Sequence, residues 1–260
     1  MGNLKIGIFG SEGRMGRDIY LRARDTKNLE VTYLCENSKH PSIGKKISNL
    51  IVSSNISELV SQSDVIIDFT NAKGTLFLLN SITNSKNKPA LVTGTTGFSA
   101  LQEKQFSNFL GDMRVLRSFN MSLGVNLMKQ IVKMCARNLN DLADIEIVEF
   151  HHNKKKDIPS GTALTLGHSI REGSEKVKGF EFRKMNNNKV RSKNKIGFSS
   201  VRGGNVIGKH SVYFFLDGET IELTHTASDR KVFSEGALRA AKWIVKQKSG
   251  LYSTLDMLRL

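Results

Sequence analysis

Short apolar runs alternate with helical patterns through the first half of the chain. Residues 4–9 read Leu-Lys-Ile-Gly-Ile-Phe, a β-rich run, and residues 14–24 follow with helical spacing of apolar positions. Residues 29–35 form a second run. A third at 65–70, Val-Ile-Ile-Asp-Phe-Thr, leads into a helical pattern at 72–82. A fourth at 89–93 passes through a Gly-Thr-rich turn to a helix at 101–110, and residues 113–116 make a fifth. Repeated strand–helix units predict an α/β Rossmann-like fold with a doubly wound parallel sheet. Ligands of such sheets gather at the carboxyl ends of the strands.

The second half changes character. Residues 120–138 carry a long amphipathic helix pattern, with Leu123, Leu127, Ile131 and Met134 near helical spacing. A strand at 143–150 and a helix opening near Gly161 follow. Residues 184–195 contain almost no apolar side chains, which predicts a long mobile loop. Strands at 197–201, 206–216 and 220–227 are separated by short turns, with Asp217-Gly218 as a tight hairpin, and 234–245 reads as a closing helix. This predicts a second, α+β domain with a mixed or antiparallel sheet.

Composition narrows the class. The chain has 260 residues, 39% hydrophobic and 24% charged, as in ordinary globular proteins. No apolar run reaches membrane-spanning length, and residues 1–5 are not a signal peptide. Cys35 and Cys135 stand far apart without CxxC spacing, which argues against a disulfide framework and against a zinc site and points to a reducing cytoplasm, and no metal is expected. The net charge is +15, and residues 151–210 hold 14 Lys and Arg against four acids. Solvated lysines, a field that steers anionic ligands and nucleic-acid binding are the three readings. The basic run has no interleaved aromatics, which argues against nucleic acid.

Two stretches carry chemistry. Gly10-Ser11-Glu12-Gly13-Arg14-Met15-Gly16 follows the first strand and opens the first helix. A dinucleotide pyrophosphate needs such a turn, bare of side chains and backed by a helix N-terminus. Glu36 follows the second strand, twenty residues after Gly16, where an acid holds a ribose diol. Phe69-Thr70 and Gly94-Thr95-Thr96 lie at carboxyl ends of later strands and are candidates for the nicotinamide end. The second stretch is Glu149-Phe150-His151-His152-Asn153-Lys154-Lys155-Lys156-Asp157-Ile158-Pro159-Ser160-Gly161-Thr162. Histidine titrates near neutral pH. Ser160 can cap the helix, leaving N–H groups near Gly161 and Thr162 open to a carboxylate or phosphate. His151 and His152 can both enter one pocket only if the strand ends there. Spacing does not choose the pocket lysine, and His225 and Arg230 are further candidates.

These motifs resemble the dihydrodipicolinate reductase family over nearly the whole chain. Glu149 to Thr162 is similar to that family's E-x-H-H-x-x-K-x-D-x-P-S-G-T signature. Gly10 to Gly16, Gly94 to Phe98, Asn120 to Asn126, Gly197-Phe198 with Val201-Arg202, and Glu222 to His225 resemble its other motifs. The resemblance implies a homotetramer that passes a hydride from NADH or NADPH to a small cyclic dicarboxylate. It implies His151 as the acid and Lys155 as its cationic partner, with His152, Lys155, Ser160, Gly161 and Thr162 on the substrate carboxylates. Gly10, Gly13, Arg14, Met15 and Gly16 would surround the pyrophosphate and Glu36 the adenosine ribose. Phe69, Thr70, Gly94, Thr95, Thr96, Asn120 and Met121 would line the nicotinamide end. Residues 1–120 with 231–260 would form the cofactor domain and 121–230 the substrate-binding and tetramerisation domain.

Three positions depart from the family pattern. Asn37 stands where some members carry an Arg for a 2′-phosphate, which tilts the chain toward NADH, while Lys39 and His40 keep NADPH open. Met121 replaces a frequent aromatic, and Ile158 a small residue before Pro159. Two other readings stand beside this one. Another two-domain NAD(P)-dependent dehydrogenase, acting on an amino acid or sugar, would share the first half but lack the His-His…Pro-Ser-Gly-Thr run. A nucleotide-sensing nucleic-acid binder would predict salt-steep binding without turnover.

Overall fold

The computed structural model describes residues 2–182 and 190–259. In chain order the elements are β1 (Leu4–Phe9), α1 (Arg14–Arg24), β2 (Leu29–Cys35), β3 (Lys46–Ile47), β4 (Leu50–Ser53), α2 (Ile56–Ser61), β5 (Val65–Asp68) and α3 (Ala72–Thr83). Then come β6 (Ala90–Thr93), α4 (Ala100–Asn108), β7 (Arg114–Arg117), α5 (Leu123–Leu139), β8 (Asp144–His151), α6 (Gly161–Gly173), β9 (Gly179–Phe182) and β10 (Lys195–Arg202). The last are β11 (Gly208–Phe215), β12 (Thr220–Ala227), α7 (Lys231–Ile244), β13 (Gly250–Tyr252) and α8 (Thr254–Leu258). The chain separates into two compact units, 1–121 with 231–260 and 122–230.

The first unit is an eight-stranded sheet in the order β13-β7-β6-β5-β1-β2-β4-β3. Every pairing is parallel except β3 with β4. The central strands are buried on both faces, as parallel sheets demand. Ile6, Ile8, Val65, Ile67 and Val92 face a core closed by α1 and α7, and Ile66, Leu91 and Val115 face one closed by α2, α3 and α4. Helix starts are set locally. The Asn71 side chain accepts from Gly74 N, and Ser99 closes a capping box with Gln102. The sequence thus forms the doubly wound parallel sheet that its alternation predicts.

The second unit is a mixed five-stranded sheet, β12-β11-β8-β10-β9. β10 is parallel to β8 and β9, and β11 is antiparallel to β8 and β12. Helices α5 and α6 lie over one face, where Ile145, Ile147, Phe198, Val212 and Phe214 meet Met128, Val132, Leu166 and Ile170. The opposite face of the sheet carries Val148, Val201, Tyr213 and Phe215. The β11–β12 hairpin turns at Gly218, whose φ of +81° suits glycine.

One expectation is corrected here, and one is tested only in part. In α5 the buried stripe is Val125, Met128, Val132 and Ala136, whereas Leu127 and Met134 are exposed. A helix this rich in apolar residues offers two stripes at helical spacing, and the sheet of the second unit selects the one with smaller side chains. The stretch expected to be a mobile loop at 184–195 falls partly outside the described residues. Its end is anchored. Arg191 donates to Asp144, Glu146 and the Ile145 and Lys195 carbonyls, and Lys195 already belongs to β10.

Candidate active site

In the first unit a cavity of about 750 Å³ opens beside the glycine turn. Among its walls are Gly10, Gly13, Glu36, Asn37, His40, Phe69, Thr70, Asn71 and Lys73. Gly10 adopts φ +82°, and a Cβ on Gly16 would lie 2.1 Å from the Gly10 carbonyl oxygen, so turn and helix pack with no room for a side chain. Gly13 occupies the N-cap of α1 without any side-chain cap, which leaves that helix end to a ligand. The Glu36 carboxylate accepts from Glu12 N at 2.7 Å and Asn37 N at 3.2 Å, with lone pairs left for a diol. A nicotinamide dinucleotide fits this construction: a bare turn for the pyrophosphate and a carboxylate for the ribose.

Of the residues expected at the cofactor, Gly10, Gly13, Glu36, Phe69 and Thr70 line this cavity, whereas Arg14, Met15, Gly16, Gly94, Thr95, Thr96, Asn120 and Met121 do not. Gly94 nevertheless supports its wall, since a Cβ there would fall 2.1 Å from the Phe69 ring. Met121 is 1% exposed and its side chain sits in the hydrophobic core of the first unit, so it presents no side chain to a ligand.

Sequence reasoning missed what holds this wall. Asp68 is fully buried and accepts from Thr70 N at 3.0 Å and from the hydroxyls of Thr70, Thr75, Thr93 and Thr95 at 2.6, 2.5, 2.9 and 3.2 Å. Burial pushes its pKa up, against these hydrogen bonds. An acid inside an apolar strand, with threonines two and seven residues on, was the available signal. Glu12, in the wall of the same cavity, is held below the usual carboxylate range. Burial alone would raise it, but Ser42 and Arg17 on its carboxylate reverse the sign.

In the second unit β8 ends at His151, so both histidines sit at the strand's carboxyl end. His151 is buried and His152 half-buried. Three neighbouring strands bring a charged cluster together on the face that α6 covers. Arg202 of β10 pairs in register with His151, and His210 of β11 with Glu149. Glu149 is fully buried. It contacts His151 Nδ1 and receives a two-pronged Arg202 fork at 2.7 and 3.0 Å, plus Ser160 N at 3.3 Å. Ser160 caps α6 by accepting from Ala163 N, and its Oγ lies 2.9 Å from His210 Nε2. The Ser160 hydroxyl is therefore engaged within the fold. Gly161 is exposed with nothing within 4 Å of a Cβ position, and Thr162 is half-buried beside it. Lys155 pairs with Asp157 at 2.8 Å.

Burial sets the protonation states. It would raise Glu149, but Arg202 and the other donors hold that carboxyl below its usual range. Burial pulls His151 down while Glu149 opposes it. His210, buried and beside His151, is pushed down to about 4. His225 of β12 pairs in register with His210, lies 3.3 Å from Ser122 Oγ and is lowered by burial. Arg230 is exposed. Glu149, His151 and His210 offer ligand atoms within 4.8 Å of one another, but the Arg202 fork already occupies the same carboxylate and would repel a divalent cation. The cluster is thus a proton-handling arrangement: an imidazole on a fixed carboxylate, beside an open helix N-terminus that suits anions.

The comparisons with known proteins agree over the whole chain. Residues 4–121 match the family model for the dihydrodipicolinate reductase N-terminus, and 124–258 that for its C-terminus. The 4-hydroxy-tetrahydrodipicolinate reductase of a Nitratiruptor species is 41% identical over 263 residues, covering 99% of this chain and 100% of the relative. That of Buchnera aphidicola subsp. Schizaphis graminum is 37% identical over 270 residues, covering 98% and 97%. The solved dipicolinate-bound dihydrodipicolinate reductase from Paenisporosarcina sp. TG-14 superposes with a TM-score of 0.79 at 23% identity, covering 98% of this chain and 99% of that one. With both halves of the family model matched and relatives of this identity aligned end to end, the chain belongs to the dihydrodipicolinate reductase family, an oxidoreductase family of lysine and diaminopimelate biosynthesis.

Proposed function

We propose that the protein reduces 4-hydroxy-tetrahydrodipicolinate to tetrahydrodipicolinate with NADH or NADPH, the 4-hydroxyl leaving as water. The observation that carries this reading is the buried Glu149–His151 pair at the end of β8, next to the open N-terminus of α6. A bound nicotinamide supplies the hydride that reaches C4 of the substrate ring. His151 gives the proton, with Lys155 as its cationic partner. His152, Lys155 and the backbone at Gly161 and Thr162 hold the two carboxylates, while Ser160, expected there too, is engaged with Glu149, Ala163 N and His210 and sets the helix start. Gly10, Gly13, Arg14, Met15 and Gly16 hold the pyrophosphate and Glu36 the ribose. Phe69, Thr70, Gly94, Thr95 and Thr96 form the nicotinamide end, joined by Asn120 and by the backbone of Met121.

Asn37 places no cation at the 2′-position, which favours NADH, with Lys39 and His40 nearby in sequence. In this reading 1–120 with 231–260 serve the cofactor, and 121–230 serve the substrate and a homotetramer. The open sheet face supports the assembly: Tyr213 and Phe215 stack there at 5.6 Å, and Val201 is 44% exposed. No helix among the described residues is long and apolar enough to cross a membrane, and the reducing-compartment reading of Cys35 and Cys135 favours the cytoplasm.

A coupled assay tests the reading. Substrate is generated from pyruvate and aspartate semialdehyde by the preceding synthase, and loss of NADH or NADPH absorbance is followed. Oxidation that requires both the synthase and this protein supports it and gives the cofactor ratio. No oxidation with either cofactor, from folded protein, would discard it in favour of another dehydrogenase.

A further inference from the structure

We infer that Glu149 and Arg202 are positioning residues for the proton transfer: Arg202 fixes the Glu149 carboxylate, and the carboxylate fixes His151 with Nδ1–H turned inward and Nε2 as the atom that gives up the proton. The inference rests on the reading of His151 as the acid. Its warrant is geometric. An ionised carboxylate only accepts hydrogen bonds. The Arg202 fork and Ser160 N already donate to Glu149, so the His151 nitrogen in contact with it must be the donor, and Nδ1 keeps its hydrogen. The exchangeable position is then Nε2. A Cβ on Gly208 would stand 3.1 Å from that Nε2, so the glycine leaves beside it a space that any side chain would narrow.

The rest of the surroundings point the same way. Around His151 stand Glu149 on its own strand, Arg202 on β10, His210 on β11, and Lys155 with its partner Asp157 in the loop that follows β8. His225 of β12 stands behind His210. Of these, Lys155 and Arg202 oppose a positive imidazole, and His210 would oppose it if charged. Glu149 is the group in contact with His151 that favours the imidazolium, the form a general acid needs. Arg202 divides the carboxylate between two cations. That keeps Glu149 ionised without locking the proton on His151. In the step itself the N–H bond at Nε2 breaks, the proton passes to the substrate, and the electron pair stays on the imidazole, which solvent reprotonates.

The test is the pH dependence of kcat, at saturating cofactor, in wild type, Glu149→Gln, Arg202→Lys and His151→Gln, with the cofactor dissociation constant measured for each. Activity that needs an imidazolium falls as pH rises through the pKa of His151. Glu149→Gln removes the influence that favours the charged form. Its falling limb should move to lower pH by about half a unit or more, and kcat at neutral pH should drop by roughly threefold or more, with cofactor affinity unchanged. Arg202→Lys loosens the fork and releases carboxylate charge to His151, so its limb should move the opposite way. This second variant keeps the inference testable if Glu149→Gln fails to fold. A limb that stays at its wild-type pH in either folded variant, whatever the loss of rate, would reduce the pair to structural support and overturn the inference. Near-normal turnover in His151→Gln would instead overturn the assignment of the acid, and the inference with it.

Discussion

The two units solve different problems with different materials. The cavity wall of the first unit is built from glycines, backbone N–H groups and threonine hydroxyls, with the buried Asp68 tied by five hydrogen bonds to threonines. The cluster of the second unit is built from ionisable and charged side chains: Glu149, His151 and His210 meet the permanent cation Arg202 across three strands. The first arrangement relies on shape and on backbone and hydroxyl dipoles. The second relies on an imidazole whose protonation is set by the charges around it. Binding a large polar cofactor asks for the former and moving a proton for the latter. A substitution in one unit should therefore leave the property of the other intact.

The largest expected effect lies in the second unit. His151→Gln should lower turnover by about 10²-fold or more, the scale of general acid catalysis, as read in the coupled assay. In the first unit, Gly94→Val puts atoms into the Phe69 ring. It should weaken NADH binding about tenfold by titration while kcat at saturating cofactor changes far less, a loss on the scale of an overpacked wall. An equal loss in both parameters would break the proposed division.

A smaller effect is thermodynamic. His210 has a folded pKa near 4 against an ordinary 6.5, so the unfolded chain takes up the proton first as pH falls. The stabilisation is complete above about 6.5 and is lost as pH falls through the window toward 4. Chemical denaturation should show about 2 kcal/mol lost between pH 7 and pH 5 from this group. His210→Gln should flatten that slope, and an unchanged slope would show that another group carries it. The smallest effect concerns selectivity. Asn37→Arg should raise the NADPH/NADH preference several-fold through a phosphate contact, and an unaltered ratio would show that position 37 does not read the 2′-position.

What was legible in the sequence follows the same division. The strand, glycine turn and helix from Leu4 to Arg24 were readable because each part is local: an apolar run, residues that tolerate a tight turn, and a 3.6-residue period. Ser160 was readable as a cap because capping is a contact over three residues. The short strands β3, β4, β9 and β13 were not, because two to four residues of mixed polarity carry no period and form only when a neighbour supplies the pairing. The face of α5 went astray for a related reason. Leu127 and Met134 satisfy helical spacing as well as Val125 and Val132 do, and only the surface beneath the helix decides. Glu149, Arg202 and His210 lie far apart in sequence, and register between β8, β10 and β11 unites them. Spacing along a single chain cannot show that, and the same holds for the threonines that converge on Asp68.

The most direct test of the division is an equilibrium titration of NADH into His151→Gln, followed through quenching of the single tryptophan, Trp243 in α7 of the first unit, beside a turnover measurement on the same sample. The account predicts a dissociation constant indistinguishable from wild type together with turnover down by about 10²-fold. A dissociation constant that rises in step with the loss of turnover, or turnover that persists, would contradict it.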